Sequence, residues 1–332
     1  VDVLVLGGTA WLGREVALAA LAQGHEVTAL ARGESGSVPG SVRFVRADRS
    51  AADAYDEVAG RDWDVVVDVA RQPGHVRGAL GALGDRSRSW VFVSSSSVYA
   101  RDDSPGDDES AALHPPHDAD DEGWETYGAR KVACESAVLG AVGDRALVAR
   151  AGLIAGPGDH TDRTGYWPLR FAHPAGSDGA VLVPDVGLAT QVVDVRDLAS
   201  WLVAAGGAGA TGVVNASGPV VPLATHLETA RRVAGHTEEV VTVSQEWLLE
   251  HDVQPWSGPR SLPIWLPLPD YAGFMARDTS AAQALGLTPR PLAETLADTL
   301  AWELQHGPGR RRKAGLSPAE EAELLTLAGH AT

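Results

Sequence analysis

The segment Leu6-Gly7-Gly8-Thr9-Ala10-Trp11-Leu12-Gly13 constrains this chain more than any other. It follows an apolar run, Val3-Leu4-Val5-Leu6, that reads as a strand. It precedes a stretch from about Gly13 to Gln23 that reads as a helix, with Gly24 as its left-handed end. A turn passing directly from strand to helix needs a first residue free to bend tightly and a last one with no side chain. Gly7 and Gly13 meet those needs. A small residue between them, Ala10, lets backbone N–H groups at the helix start approach a pyrophosphate. A glycine pattern alone is a weak signal, because any tight βα turn favours glycine. Its strand-turn-helix setting makes this one more specific.

The unit then repeats. Strands are predicted around Glu26 to Ala31, Val42 to Val45, Val65 to Val69, Trp90 to Ser94 and Leu147 to Ala149, separated by helical or loop segments. Fully apolar runs such as Val65-Val66-Val67 suit strands covered on both faces. The pattern predicts an α/β fold, a doubly wound parallel Rossmann sheet with a smaller, discontinuous C-terminal substrate domain. Residues 1–155 would form the dinucleotide-binding domain, with a returning segment around 190–216 that includes Val213-Val214-Asn215. Residues 156–189 and 217–332, rich in Pro, Gly and aromatics, would form the substrate-binding region. The polar insertion Arg101 to Glu125 reads as a solvated loop and, standing just before Tyr127, as a candidate rim or lid. Ser317-Pro318-Ala319-Glu320 has the N-cap, N1 proline and acidic first turn of a helix start.

Charge removes several function classes. With 44 acidic and 27 basic residues in 332, the formal charge is −17, which opposes nucleic-acid and membrane-surface partners. The one basic run, Arg310 to Lys313, reads as a solvated linker. The one cysteine, Cys134, permits no intrachain disulfide, and no Cys/His spacing suggests a metal. No apolar run approaches the ~18 residues of a membrane helix. The sequence also enters a strand at once, so the expected location is cytoplasmic.

The second predicted strand ends Thr28-Ala29-Leu30-Ala31-Arg32-Gly33. A carboxylate there would bind ribose hydroxyls, but Ala31 occupies the place and Arg32 follows, suited to a 2′-phosphate. NADP(H) is therefore expected over NAD(H), the alternative being an exposed loop arginine. Asp48 would reach an adenine amino group or cap a turn. Tyr127-Gly128-Ala129-Arg130-Lys131 puts Tyr and Lys on one helical face, where an ammonium stabilises a phenolate and eases proton exchange. Upstream, Ser94-Ser95-Ser96-Ser97-Val98-Tyr99 supplies hydroxyls at the sheet edge where open α/β folds bind ligands.

Taken in order, these motifs resemble the extended short-chain dehydrogenase/reductase superfamily, also called the NAD-dependent epimerase/dehydratase family. The likeness continues through Gly156-Pro157-Gly158-Asp159, Gln191 to Ala199, and Gly286 to Leu292, so nearly the whole chain is covered. The resemblance implies that Tyr127 is the acid/base. It gives Lys131 the nicotinamide ribose and the tuning of that tyrosine, and Ser95 the reacting oxygen, with the serine register open by one or two positions. Gly7, Thr9, Ala10, Trp11, Leu12 and Gly13 would hold the cofactor, and Val69-Ala70-Arg71 would pass along it. Three departures stand out: Ala10 for a glycine, Ala151 where Arg-Pro is common, and no Asp-Glu pair after Ser95. The last argues against a dehydratase. Superfamily members often dimerise through helices flanking the sheet, which implies a homodimer by analogy.

The implied activity is an NADP(H)-dependent oxidoreductase interconverting an alcohol and a carbonyl on a small molecule. Alternatives are a nucleotide-sugar epimerase with tightly bound NAD and a non-catalytic NADP(H)-sensing protein. Candidate substrate contacts are Ser97, Arg163, Tyr166, Trp167 and Gln191. Against these stands an Arg–Asp pair with packed aromatics joining the domains. Trp256, Trp265 and Tyr271 read as packing residues, with lining of the same cleft as the alternative, His160 and His173 as partnerless, and Asp197 as a helix N-cap.

Overall fold

A computed structural model describes residues 1–120, 123–176 and 178–329. Its centre is a parallel sheet of seven strands. Six are β1 (Asp2–Leu6), β2 (Glu26–Ala31), β3 (Arg43–Arg46), β4 (Trp63–Asp68), β5 (Ser87–Ser95) and β6 (Ala146–Ala151). The seventh, Gly212–Ala216, returns late in the chain and pairs with β6. Across the sheet the order is β3, β2, β1, β4, β5, β6 and the returning strand, with every pair parallel. This is the doubly wound arrangement predicted above.

Val3 and Val5 turn to one face, where they pack with Val16 and Ala17 of α1 (Trp11–Ala22) and with Leu198 and Leu202 of the helix Val195–Gly207. Leu4 and Leu6 turn to the other, against Val76 and Leu80 of the helix Pro73–Leu83 and Cys134 and Val138 of the helix Tyr127–Val142. Alternation along one strand thus feeds two cores. Burial pushes the Cys134 thiol up to about 11, so it packs as an inert apolar group. Strand β5 begins at Ser87, earlier than its apolar run suggests, because Ser87 and Ser89 are buried and the Ser87 hydroxyl donates to Gly84 O at 3.0 Å.

A third core lies beyond the sheet, around Trp167, Leu182, Leu227, Trp265, Leu296 and Leu324. In it, His226 of the helix Leu223–Ala234 is fully buried, and neither ring nitrogen has a partner among the described residues. Burial lowers the ring's pKa from 6.5 to about 4. The unfolded chain then takes up a proton that the fold refuses, so this contribution is full above pH 6.5 and lost as pH falls towards 4. At ~1.4 kcal/mol per pH unit, the loss amounts to about 3 kcal/mol. Urea melts at pH 7 and pH 4.5 should show His226→Leu much less acid-sensitive than the parent. Equal sensitivity would remove the histidine from the account.

Three expectations require correction. The insertion is a solvated loop over only part of its described length. Gly106 N donates to Ala276 O (2.7 Å), Gly273 N to Asp102 O (2.6 Å) and Asp278 N to Asp107 O (3.0 Å), so it is laced to residues 273–278. The basic run is not a linker. Arg310 and Arg312 both pair with the buried Glu303, and Arg310 also pairs with Asp162. Asp197 does not cap its helix. Asp194 does, accepting from Arg196 N at 2.9 Å, while Asp197 holds Arg290. The helix start predicted at Ser317 forms, and Ser317 and Glu320 complete a capping box there.

Candidate active site

Because the strands are parallel, their C-terminal ends share one edge of the sheet, and a cavity of about 1060 Å³ opens there. Three stretches from that edge line it: Thr9–Arg14, Val69 with Arg71, and Val93–Ser97. The first turn is built as a cradle. Gly7 has φ +101°, and a Cβ on Gly13 would lie 2.2 Å from Gly7 O. No side chain caps α1 at Ala10, and its first turn holds no acid. Its leading N–H groups have no intrahelical acceptors, and residues Thr9–Arg14 line the cavity, which suits a dinucleotide pyrophosphate. Gly13→Ala should therefore cost about 1–3 kcal/mol of stability and weaken nucleotide binding. NADPH fluorescence titration checks this, and unchanged affinity would show that the turn is no cradle.

The 68–71 segment is held from beneath. Asp68 is buried, clamped by Arg49 at 2.7 and 2.9 Å, and accepts from Ala70 N at 2.9 Å. Ala70 O in turn accepts from Lys131 Nζ (2.6 Å), which also donates to Val93 O at 2.7 Å. Two of the three ammonium protons are thus spent on the ends of β4 and β5, fixing the charge at the cavity floor. Tyr127 opens the same helix one turn earlier and lines the same cavity, its ring edge-on to the exposed Trp124 at 5.6 Å.

The four serines separate by environment. Ser94 is buried and donates to Glu135 at 2.5 Å, which removes it from the chemistry. Ser95 is half-buried, accepts from Ser97 N (3.1 Å) and donates to Ser97 Oγ (3.2 Å). Ser95 and Ser97 therefore present paired hydroxyls to the cavity.

Below them runs a buried polar network that was not anticipated. Arg150 meets Glu135 at 2.8 Å, with both side chains under 5% exposed, and donates to Tyr99 Oη at 3.1 Å. Tyr99 donates to Asn215 Oδ1 at 2.6 Å. The signal was available: a charge in the otherwise apolar β6 must find a partner, and Glu135 stands one turn past Lys131.

Other predicted residues divide. Arg163 lines the cavity with Thr161 and Trp256, its guanidinium 4.7 Å from the Trp256 ring. Gln191 also lines it, yet its amide is engaged by the backbone of Arg277 on both sides, at 2.9 and 3.2 Å. Tyr166 and Trp167 are not cavity residues. They are 2% and 0% exposed in the third core, and Trp167 donates to Pro263 O at 2.7 Å. Arg32 and Asp48 lie outside the lining. Arg32 is exposed beside Glu34 at 3.5 Å, and Asp48 caps the turn at Ser50. Two residues read as bland do face the cavity. Trp256 is one, and His160 is the other, edge-on to Trp11, whose indole donates to Pro157 O at 2.8 Å.

No metal-binding group of three or more His, Cys, Asp or Glu occurs among the described residues, and no described helix is long and apolar enough to cross a membrane. Residues 3–85 match the model of the NAD dependent epimerase/dehydratase family. No curated protein matches the sequence. The fold is similar to solved structures along nearly its whole length. One is a candidate epimerase from Burkholderia cenocepacia J2315, with TM-score 0.67, 20% identity, and 90% of this chain and 97% of that one covered. Another is the UDP-N-acetylglucosamine 4-epimerase of Bacillus cereus, at 0.65, 17%, 92% and 97%. A third is the Bordetella bronchiseptica enzyme WbmG in complex with NAD and UDP, at 0.65, 16%, 92% and 96%. At such identities the likeness is one of fold.

Proposed function

We propose that this chain is an NAD(P)-dependent enzyme of the extended short-chain dehydrogenase/reductase superfamily and interconverts an alcohol and a carbonyl on a small molecule with NADP(H). One observation carries the reading: Ser95 from the end of β5, and Tyr127 and Lys131 from one helix, line one cavity with the turn residues Thr9–Arg14. The turn at Thr9–Arg14, Val69 and Lys131 would hold the dinucleotide, whose nicotinamide would supply or accept hydride at the carbonyl carbon. In reduction the Tyr127 phenol gives its proton to the oxygen, while the Ser95 hydroxyl, its oxygen held by Ser97 N, turns its proton from Ser97 Oγ to the substrate oxygen. Lys131 keeps a positive charge beneath, where it favours the phenolate left behind. The part-apolar lining of the cavity strengthens each of these interactions. Purified protein given NADPH and a panel of aldehydes and ketones should oxidise the nucleotide. Failure with every carbonyl would discard the reading.

The cofactor preference rests on Arg32. Its contact with Glu34 joins two exposed side chains and holds it weakly, leaving the guanidinium free for a 2′-phosphate. Arg32→Ala should reduce the NADPH over NADH ratio in kcat/KM about 10- to 100-fold, the range of one charge-assisted hydrogen bond. An unchanged ratio would return Arg32 to the bland surface.

A second reading, a nucleotide-sugar epimerase, is favoured by the similar fold of WbmG with NAD and UDP and by the cavity's size. It predicts nucleotide retained through purification, because such a cycle returns the hydride to the same sugar. A protein isolated empty counts against it.

A further inference from the structure

We infer that the substrate carries a carboxylate, seated on Arg163 beside Tyr127. The inference rests on the proposed alcohol–carbonyl chemistry and names the class of compound it acts on.

Arg163 stands out in an acidic protein. It forms no ion pair with any described residue, and its one hydrogen bond goes from Nε to Thr161 Oγ1 at 3.1 Å. Its Nη groups, the two that grip a carboxylate side by side, donate to no described protein atom. The nearby acids are already committed. Asp159 is buried and accepts from Thr161 N, Thr161 Oγ1, Thr164 N and Thr164 Oγ1 at 2.5 to 2.9 Å. Asp162, the neighbour that an Arg–Asp pair would use, is turned away at φ +62°, taken by Arg310 and by Lys313 N at 2.9 Å.

The residue is also rigidly presented. Its flanking residues are pinned by those two clusters, and the Trp256 ring lies beneath its guanidinium. Trp256 itself holds φ +69°, an unfavourable backbone for a bulky residue. Burial disfavours the charge on Arg163, and Asp159 and, more weakly, the Tyr127 phenol offset part of that electrostatically. The remaining cavity charges sharpen the contrast. Asp102 is neutralised by Arg277 at 2.7 Å and Glu125 is exposed, whereas Lys131, Arg71 and Arg163 line the cavity with no ion-pair partner among the described residues. A desolvated cation with its fork free, next to the acid/base, is completed by an anionic oxygen pair a few bonds from the reacting carbon.

The test pairs 2-, 3- and 4-oxo carboxylates with their primary amides under NADPH, and adds calorimetric titration of malonate into protein loaded with NADP+. Wild type should favour the best acid over its amide by at least about 30-fold in kcat/KM, the range of a charge-assisted pair. Arg163→Gln should bring that ratio to within about threefold and abolish malonate binding, with partial recovery in Arg163→Lys. A wild-type ratio near one, or equal losses on acid and amide in Arg163→Gln, would overturn the inference while leaving the reductase reading intact. Arg163-dependent malonate binding without reduction of any carbonyl would uphold the anchor and discard the reductase. Malonate binding indifferent to Arg163 would overturn the anchor whatever the kinetics.

Discussion

Tyr127→Phe should lower kcat by about 10²- to 10⁴-fold, the usual contribution of a positioned acid/base, with much less change in nucleotide affinity. The substitution removes one oxygen and keeps the ring that packs edge-on to Trp124. Neither backbone carbonyl that fixes Lys131 involves the phenol, so the ammonium should stay in place. Loss in kcat with near-constant Kd for NADPH is therefore the signature of lost proton transfer rather than lost structure. Lys131→Met should behave differently. It frees Ala70 O and Val93 O from their buried donor, so both nucleotide binding and turnover should fall. A Tyr127→Phe protein retaining most of its rate would move the acid/base elsewhere, with His160 at the cavity wall the next group to examine.

The second large effect is expected far from the chemistry. Glu135→Ala should cost about 3–5 kcal/mol in urea unfolding, because Arg150 would remain buried without its counter-charge. The loss should spread to the cavity floor. Arg150 ties Glu135 to Tyr99, Tyr99 donates to Asn215 Oδ1, and Asn215 N donates to Glu109 Oε1 at 2.6 Å, joining the helix Tyr127–Val142, β6, the returning strand and the insertion. Replacing both partners by apolar residues, Glu135→Leu with Arg150→Met, should recover much of the stability, since no bare charge is left. Recovery of activity should lag, because Tyr99 would lose a donor beneath the serines. A loss under about 1 kcal/mol for Glu135→Ala would mean that water reaches the pair.

What could be read from the residues follows the range of the interactions. The sheet, the glycine cradle and the Tyr127/Lys131 spacing depend on neighbours within a few positions, so a local pattern sufficed. The insertion and the basic run depended on partners more than 140 positions away, such as Arg277 with Asp102 and Arg310 with Asp162. Composition made them polar, and polarity alone reads as solvent exposure. Tyr166 and Trp167 were ambiguous for a related reason. An aromatic pair after a Gly-Pro turn suits a ligand or a core equally, and only the third core, assembled from segments up to Leu325, decides. Arg163 was legible as a charge beside a possible acid partner. That Asp162 turns to Arg310 instead is what leaves it for a ligand.

The central claim is that a phenol, an ammonium and a hydroxyl converge on a dinucleotide held by the first turn. A crystal structure of the protein with NADP+ tests it most directly. The account predicts the pyrophosphate on the N–H groups at Trp11 to Gly13 and Lys131 Nζ at the nicotinamide ribose. Tyr127 Oη should then lie about 3–3.5 Å from the site of the reacting oxygen. A nucleotide bound elsewhere, or a Tyr127 side chain directed away from the nicotinamide, would contradict it.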